Sequence, residues 1–153
     1  MVQTFSDDKK IYSVDMMFAY IHIYKPKYNK INVEQLLDTL DYKGWGNPKE
    51  NIFYSPKQVL ENPKKYKDEI KRINEANLKY PIIVYNNNIV DGVHRLTKSC
   101  LLNKKTIKAY IFDDEIMKNF LINKNKDWNK VDKMQIYDYI ELFIKKFNLL
   151  ENN

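Results

Sequence analysis

The segment from residue 80 to residue 112 restricts the fold more than any other part of the chain. It begins with the β-branched run "YPIIVY", continues through three asparagines that favour a turn, and resumes strand character in "NIVDG". Residues 93–101 then have apolar side chains at helical spacing, and "TIKAYIF" alternates as a strand does. The order strand, turn, strand, helix, strand predicts an α+β fold, with helices packed around a compact mixed sheet.

The remaining segments are predicted to add helices on both sides of this centre. "SVDMMFAYIHIY" has helical spacing after the capping Ser13, although its last five residues also alternate as in a strand. "VEQLLDTL" and the segments 56–62 and 63–77 predict three more helices. The glycines and proline of "DYKGWGNPKEN" predict the longest irregular stretch. Beyond residue 113, two further helices would form a helical C-terminal cap.

The length and composition indicate one domain. At 153 residues the chain can bury one core and is too short for two ordinary domains. We therefore expect a single domain over residues 1–153, with a core at about 30–113 and C-terminal helices at about 114–148. No apolar run approaches the ~20 residues of a membrane helix, and the start of the sequence does not have the pattern of a secretory signal. With a single cysteine no internal disulfide is possible, so a cytoplasmic location without a membrane partner is expected.

The net charge gives a weak indication of the partner. The chain has 26 basic residues, mostly scattered lysines, against 20 acidic ones, which leaves a formal charge of +6. This excess favours an anionic partner such as a nucleotide or a nucleic acid and does not distinguish between them.

The sequence DGVHR, residues 91–95, is the strongest candidate for a ligand site. If Asp91 ends a strand and a helix follows, Gly92 lies at the junction, where the missing Cβ permits a sharp turn. The first N–H groups of such a helix have no partners within the helix and favour an anion. His94 and Arg95 add donors suited to phosphate, and Asp91 could hold Mg²⁺ or orient His94. The alternative is an ordinary capped helix start with solvated side chains.

The stretch from residue 80 to residue 113 resembles the ParB/sulfiredoxin superfamily. In that superfamily a hairpin strand runs into a Gly-x-His-Arg or Gly-x-Arg-Arg motif at the start of a helix, and another strand follows. "INVEQLLDTL" would correspond to the N-terminal strand and helix of the family. The resemblance implies a ParB/sulfiredoxin-like fold, a small mixed sheet surrounded by helices. The form Asp-Gly-x-His-Arg is most similar to the free serine kinase branch, where such residues hold the nucleotide phosphates and a metal.

The resemblance also implies roles for individual residues. The ligand would be ATP, ADP or CTP with Mg²⁺, and the activity would be phosphotransfer or nucleotide hydrolysis. Asp91, His94 and Arg95 would be catalytic, with Asp91 as the metal ligand. The nucleotide-binding residues would be Gly92, Val93, His94, Arg95, Thr97 and Lys98.

A general base would come from Glu34, Asp38 or Asp41, and the sequence does not choose among them. Whether the protein is an enzyme at all is left open by that gap. The alternative function is a non-catalytic, DNA-associated ParB-like module in which the same basic turn binds backbone phosphates. Substrate, oligomeric state and biological process are not indicated by the sequence.

The chain departs from two branches of the superfamily. Sulfiredoxins have a reactive cysteine immediately before the histidine, where this chain has Val93, so reduction of a sulfinic acid is disfavoured. Cys100 is expected to be a buried, inert thiol. ParB proteins continue into a helix-turn-helix domain, and the residues after 113 do not resemble one.

Two further ring side chains are expected to be structural. Trp45 in "GWG" could stack on a nucleic-acid base, but a tryptophan that fills part of the core is favoured. His22 lies among Tyr20, Ile21, Ile23 and Tyr24, which predicts a core histidine rather than a ligand.

Overall fold

A computed structural model of the chain describes residues 3–151, with side chains described as far as residue 147. The strands are β1 (Thr4–Ser6), β2 (Ile11–Ser13), β3 (Asn29–Asn32), β4 (Trp45–Asn47), β5 (Ile52–Tyr54), β6 (Ile82–Tyr85), β7 (Asn88–Asp91), β8 (Thr106–Phe112) and β9 (Leu121–Asn123). The helices are α1 (Val14–Tyr24), α2 (Pro56–Glu61), α3 (Lys67–Glu75), α4 (Val93–Leu101), α5 (Asp114–Met117), α6 (Trp128–Lys133) and α7 (Ile136–Glu151). Segments of 3₁₀ helix lie at Val33–Asp41, Pro48–Glu50 and Lys118–Phe120. The protein is therefore a mixed α+β protein, as the sequence predicts.

The chain divides into two compact units. One unit is Lys27–Ile111, and the other comprises the described parts of Met1–Pro26 and Phe112–Asn153. The DGVHR sequence lies in the first of these, which we call the central unit. Its bounds are close to the expected core at about 30–113.

The central unit is built on a four-stranded sheet in the order β3-β8-β6-β7. The hairpin β6–β7 turns at Asn86 and Asn87, whose φ angles of 48° and 59° are those of a hairpin turn that suits the twist of the strands. Asparagine tolerates this conformation, so Asn86 and Asn87 form the predicted turn, whereas Asn88 is already the first residue of β7. One face of the sheet buries an apolar cluster consisting of Val33, Leu36, Ile82, Val84, Leu96, Ile107 and Ala109.

A second hairpin occupies the segment that the sequence predicts to be irregular. Strands β4 and β5 pair only with each other, with Trp45 opposite Tyr54. The turn between them contains Pro48 at the start of a 3₁₀ segment and Asn51 at φ 54°. Gly46 has φ 129°, and a Cβ there would lie 2.8 Å from the carbonyl carbon of Ile52. The glycine and proline that indicate an irregular backbone are therefore what this tight hairpin requires.

The other unit has a three-stranded antiparallel sheet in the order β1-β2-β9. Its C-terminal part differs from the predicted helical cap in two ways. The strand β9 follows the buried Phe120 and pairs with β2, and residues 134–135 separate α6 from α7. Leu121 and Ile122 suit a short strand as well as they suit a helix, so periodicity alone could not separate the two structures.

Helix α1 forms as expected, but His22 is not a core residue. The hydroxyl of Ser13 accepts a hydrogen bond from the Met16 amide at 3.2 Å, which caps the helix. Val14, Met16 and Met17 are buried, whereas His22 is exposed. His22 is five residues beyond Met17, about 140° around the helix at 3.6 residues per turn, so it lies away from the buried face. The prediction of a core histidine was wrong.

Among the helices in residues 3–151, none has the length and apolar character required of a membrane-spanning segment.

Candidate functional site

The junction between β7 and α4 has the backbone geometry that the sequence predicts. Gly92 is the N-cap of α4 at φ 114°, and a Cβ there would lie 2.8 Å from the Cβ of Ile82. The first hydrogen bond of the helix runs from the Leu96 amide to the Gly92 carbonyl at 3.0 Å. None of the described side chains caps this end of the helix. The amides of residues 93–95 are therefore the ones that an anion at the helix start would meet.

Arg95 is held by groups of the protein itself. Its Nη2 donates to Oδ2 of Asp91 at 2.6 Å, and its Nη1 donates to the carbonyls of Pro81 and Tyr80 at 2.7 and 3.1 Å. The side chains of the ion pair are 18% and 20% exposed. Because both terminal nitrogens are engaged, the guanidinium ties the first turn of α4 to the end of β7 and to the residues before β6. Arg95 and Asp91 thus neutralise each other in this arrangement.

His94 belongs to a separate cluster. Its Nε2 is 2.6 Å from Oε2 of Glu69, and its ring stacks on Trp45 at a centroid distance of 4.5 Å and an angle of 17°. The Glu69 side chain is only 12% exposed and the His94 side chain 30%. Since a carboxylate only accepts hydrogen bonds, Nε2–H donates to Glu69 and Nδ1 is the second polar atom of the ring. A carboxylate bonded in this way fixes the tautomer and the ring orientation of a histidine.

Tyr54 completes the surroundings of Glu69. Its hydroxyl donates to Oε1 of Glu69 at 3.2 Å, and Nη1 of the exposed Arg72 lies 3.9 Å from the same oxygen. Burial, and then the negative charge of Glu69, raise the pKa of Tyr54 above its usual value. The phenol therefore stays protonated near neutral pH and can act as a donor to the carboxylate.

The hairpin β4–β5 positions two members of this cluster. Trp45 and Tyr54 are directly opposite each other in the hairpin, and they contact His94 and Glu69 respectively. Trp45 is half-buried, and one face of its ring stacks on the imidazole of His94. It therefore does not fill part of the apolar core, and it does not have both ring faces open to a base. We call Trp45, Tyr54, Glu69 and His94 the dyad cluster, after its Glu69–His94 pair.

Thr97 and Lys98, both predicted nucleotide-binding residues, donate hydrogen bonds to backbone carbonyls of the protein. The Thr97 hydroxyl donates to the Val93 carbonyl one turn earlier at 2.8 Å, and Thr97 is fully buried. The ammonium group of Lys98 donates to the carbonyls of Asn74 and Ala76 at 2.8 and 2.7 Å. Lys98 therefore satisfies carbonyls at the C-terminal end of α3, a frequent role for a lysine.

The acid that contacts His94 is one that sequence reasoning missed. Glu34, Asp38 and Asp41, the predicted candidates, lie on the 3₁₀ segment with exposed side chains, and Asp41 is 3.8 Å from the ammonium of Lys57. Glu69 is part of the charged stretch "KDEIKR", where a glutamate usually belongs to a solvated helix face. One sequence signal indicates that Glu69 could be partly buried. It precedes Ile70 by one residue and the buried Ile73 by four, so it lies at the border of the apolar stripe of α3.

The donor set does not form a metal site on its own. Within residues 3–151, no three or more histidine, cysteine or acidic side chains are grouped so that they could hold a metal ion. Oδ2 of Asp91, the predicted ligand, accepts from Arg95, and the Glu69 oxygens accept from His94 and Tyr54. Oxygens of both carboxylates are thus already engaged in hydrogen bonds to protein donors, so the residues present do not fit a protein-held Mg²⁺.

Cys100 packs beside the apolar cluster of the central unit and is half-buried. Burial raises the pKa of its thiol, which disfavours the reactive thiolate.

In comparisons with known proteins, no family model, no curated protein and no solved structure matches this chain. The ParB/sulfiredoxin resemblance of residues 80–113 therefore stays a prediction.

Proposed function

We propose that the central unit is a nucleotide-binding module of the ParB/sulfiredoxin type, which receives a phosphate group at the N-terminus of α4. We further propose that it is a phosphotransferase or nucleotide hydrolase in which His94 acts as the general base. The observation that carries this proposal is the 2.6 Å contact between Glu69 and His94 on an uncapped first turn of the helix.

The order of elements supports the family part of the proposal. A hairpin strand, β7, runs into Gly92, helix α4 follows, and β8 returns to the same sheet next to β6. The segment that would match the family's N-terminal strand and helix forms β3 and the 3₁₀ segment Val33–Asp41. This order of elements around the motif supports the proposal.

The phosphate would bind to the backbone rather than to Arg95. The amides of Val93, His94 and Arg95 start α4, and the helix dipole adds partial positive charge at the same end. Gly92 lets Ile82 pack directly against the backbone at the start of this turn, because it has no side chain. Arg95 and Asp91 would act as positioning residues, since their ion pair fixes the direction of the first turn.

The dyad cluster would supply proton transfer. A hydroxyl group, from water or an alcohol, would lose its proton to Nδ1 of His94 while its oxygen attacks the terminal phosphorus of ATP or CTP. The bond to the bridging oxygen breaks, and the nucleoside diphosphate leaves. Glu69 would stabilise the resulting imidazolium through the bond to Nε2, and Trp45 would hold the ring plane. This step is written without Mg²⁺, since the side chains present do not fit one.

Isothermal titration calorimetry with ATP, ADP and CTP, followed by an assay of the shortened nucleotide that both phosphotransfer and hydrolysis release, tests the proposal. The variant Glu69→Gln keeps the shape of the side chain and removes its charge. We expect it to bind nucleotide nearly as wild type does and to lower turnover by about a hundredfold. The matched control is Glu34→Gln, an exposed acid of the same unit, which should leave both unchanged. Failure of all three nucleotides to bind, or equal turnover in Glu69→Gln and wild type, would refute the proposal.

Binding of a DNA backbone is the competing function, and the net charge of +6 is the observation in its favour. A backbone binder should lose affinity steeply and without regard to sequence as salt rises, whereas nucleotide binding at one helix end should depend on salt only weakly. Titration of a DNA duplex and of ATP at two salt concentrations separates the two functions.

A further inference from the structure

A cavity of about 160 Å³ lies in the central unit beside the last turn of α4, away from the DGVHR turn. Its lining includes Lys30 on β3, Lys104 in the loop after α4 and Lys108 on β8, and two hydroxyl-bearing residues, Ser99 and Thr106. We call it the three-lysine cavity. Nothing in the proposed nucleotide site uses these residues.

The lysines are brought together by strand register. Lys30 and Lys108 are direct partners in the antiparallel pair β3–β8. Like charges placed directly opposite each other destabilise a sheet, because the two side chains are close neighbours on one face. This pairing is unfavourable unless a group of opposite charge lies nearby.

The described side chains do not supply that opposite charge. None of the three ammonium groups lies within 4.0 Å of an acidic side chain among those the structure describes. Lys108 lies over the ring of Tyr28, 5.3 Å from its centroid, a contact that leaves the positive charge unneutralised.

The lysines are not needed to cap α4 either. The carbonyls of Lys98, Ser99 and Cys100 at the end of the helix accept hydrogen bonds from the amides of residues 102–104. Lys98 offers the contrast, since its ammonium group donates to two carbonyls at the end of α3. A structural role therefore accounts for Lys98 and does not account for the three-lysine cavity.

We propose that the three-lysine cavity is a second anion site, which binds the phosphate group of a small phosphorylated ligand. Three ammonium groups more than offset the two negative charges of a phosphate dianion, and hydroxyl groups are common additional donors to phosphate oxygens. The volume suits a phosphate with a small attached group, and a concave site favours a small ligand over the continuous backbone of a nucleic acid.

Amide chemical shifts test the site independently of catalysis. The probes are inorganic phosphate and ribose 5-phosphate, titrated into the whole chain labelled with nitrogen-15. We expect saturable shifts at the amides of Ser99, Lys104 and Thr106. Absence of shifts there at millimolar phosphate, or shifts confined to the amides of residues 93–95, would overturn the proposal. The second pattern would instead support the nucleotide site at the start of α4.

The variant Lys30→Gln/Lys104→Gln/Lys108→Gln removes the charges and keeps the chain lengths similar. We expect it to bind inorganic phosphate at the cavity at least about tenfold more weakly, as the loss of charged hydrogen bonds implies. Circular dichroism checks that the variant is folded. If it does not fold, Lys104→Gln alone, which changes no strand residue, is measured in its place.

The matched control is Lys43→Gln/Lys49→Gln/Lys64→Gln, three exposed lysines of the same unit outside the cavity. It lowers the net charge equally and should leave cavity binding within about twofold of wild type. An equal loss in both variants would mean a general effect of charge and would refute the site. A short DNA duplex that shifts the cavity amides when neither small probe does would refute it as well.

Discussion

The two ends of α4 differ in how the protein treats its charged side chains. In the first turn Arg95 bonds to Asp91 and two carbonyls, and His94 bonds to Glu69 and stacks on Trp45. Beside the last turn, Lys30, Lys104 and Lys108 line a cavity and have no acidic partner among the described side chains. The charged residues of the DGVHR motif are thus already paired. The three lysines of the cavity, which have no acidic partner among the described side chains, belong to no motif.

Desolvation explains the difference. The charged side chains of the first turn are largely buried, so each needs a hydrogen-bonded partner to offset the loss of water. A lysine can keep its ammonium group hydrated at the end of a long apolar stem, so it tolerates the absence of a partner. Rigid pairing suits a site where groups must be held in place, and hydrated lysines suit the capture of an anion.

The largest expected effect is that of Gly92→Ala at the first turn. The variant puts a Cβ at φ 114° and at 2.8 Å from the Cβ of Ile82, a fully buried residue that has no room to move. We expect the free energy of unfolding to fall by about 3 kcal/mol, measured by urea denaturation.

Gly44→Ala is the control for this prediction. A Cβ at Gly44 would also be close to a neighbour, 2.9 Å from Cε1 of Tyr42, but that tyrosine is 72% exposed and can rotate away. We expect a change below about 1 kcal/mol. If the two glycine variants lose similar stability, the first turn is not the constrained region that the comparison describes.

The second effect in size is the coupling between Arg95 and Asp91. Arg95→Met leaves a largely buried carboxylate without its donor, and we expect a loss of about 2 kcal/mol in the free energy of unfolding. Asp91→Asn in the same background should cost less than it does in wild type, since the charge it removes is already unpaired. A double-mutant cycle measures this coupling, and additive losses would contradict the paired arrangement.

The elements of the central unit that the sequence predicts correctly share one property. Each is determined by residues that are close together in the chain. The β-branched run of β6, the asparagine turn and the helical spacing of α4 each predict their own conformation within a few residues. The glycine at the strand-helix junction also follows from neighbouring residues. These features therefore emerged correctly from the sequence, and so did the α+β class.

The partners of the site residues could not be predicted, because they are distant in the chain. Glu69 contacts His94 across 25 positions, and Arg95 reaches the carbonyl of Tyr80 across 15. The residues near position 69 place that glutamate at the border of an apolar stripe, and they do not indicate that it contacts His94. The hairpin β4–β5 was not predicted, for a different reason. Its glycine and proline are required by the tight turn, but both residues have low strand propensity and therefore indicate an irregular segment.

A smaller effect is expected at the dyad cluster, in the titration of Tyr54. Burial and the charge of Glu69 raise the pKa of Tyr54 above about 10, so the stability that the protonated phenol contributes is complete below that pH. It is lost as the pH rises through the higher folded-state pKa. Glu69→Gln should lower this pKa towards its ordinary value without reaching it, because burial remains.

Tyrosinate absorbance, taken as the difference between each protein and its Tyr54→Phe counterpart, isolates this group among the twelve tyrosines. Tyr80→Phe, which removes an exposed tyrosine, is the control, and its difference curve should be the same with and without Glu69→Gln. An unchanged pKa of Tyr54 in Glu69→Gln would mean that the carboxylate does not contact the phenol in solution.

The smallest expected effect tests the other side of the comparison, at the three-lysine cavity. Lys30→Glu converts the like-charged pair with Lys108 into an opposite pair across β3 and β8. In the absence of phosphate we expect a gain of about 0.5 kcal/mol in the free energy of unfolding, since cross-strand pairs contribute at this level. Lys64→Glu makes the same charge change at an exposed residue with no opposite lysine, and its free energy of unfolding should rise less.

Adding phosphate should stabilise the wild type and not the Lys30→Glu variant, because ligand binding to the folded state raises its stability. If the lysines bind an anion, the Lys30→Glu variant should be more stable than wild type without phosphate and should lose that advantage when phosphate is added. Equal stability of the two proteins in both conditions would mean that the lysine pair is only solvated.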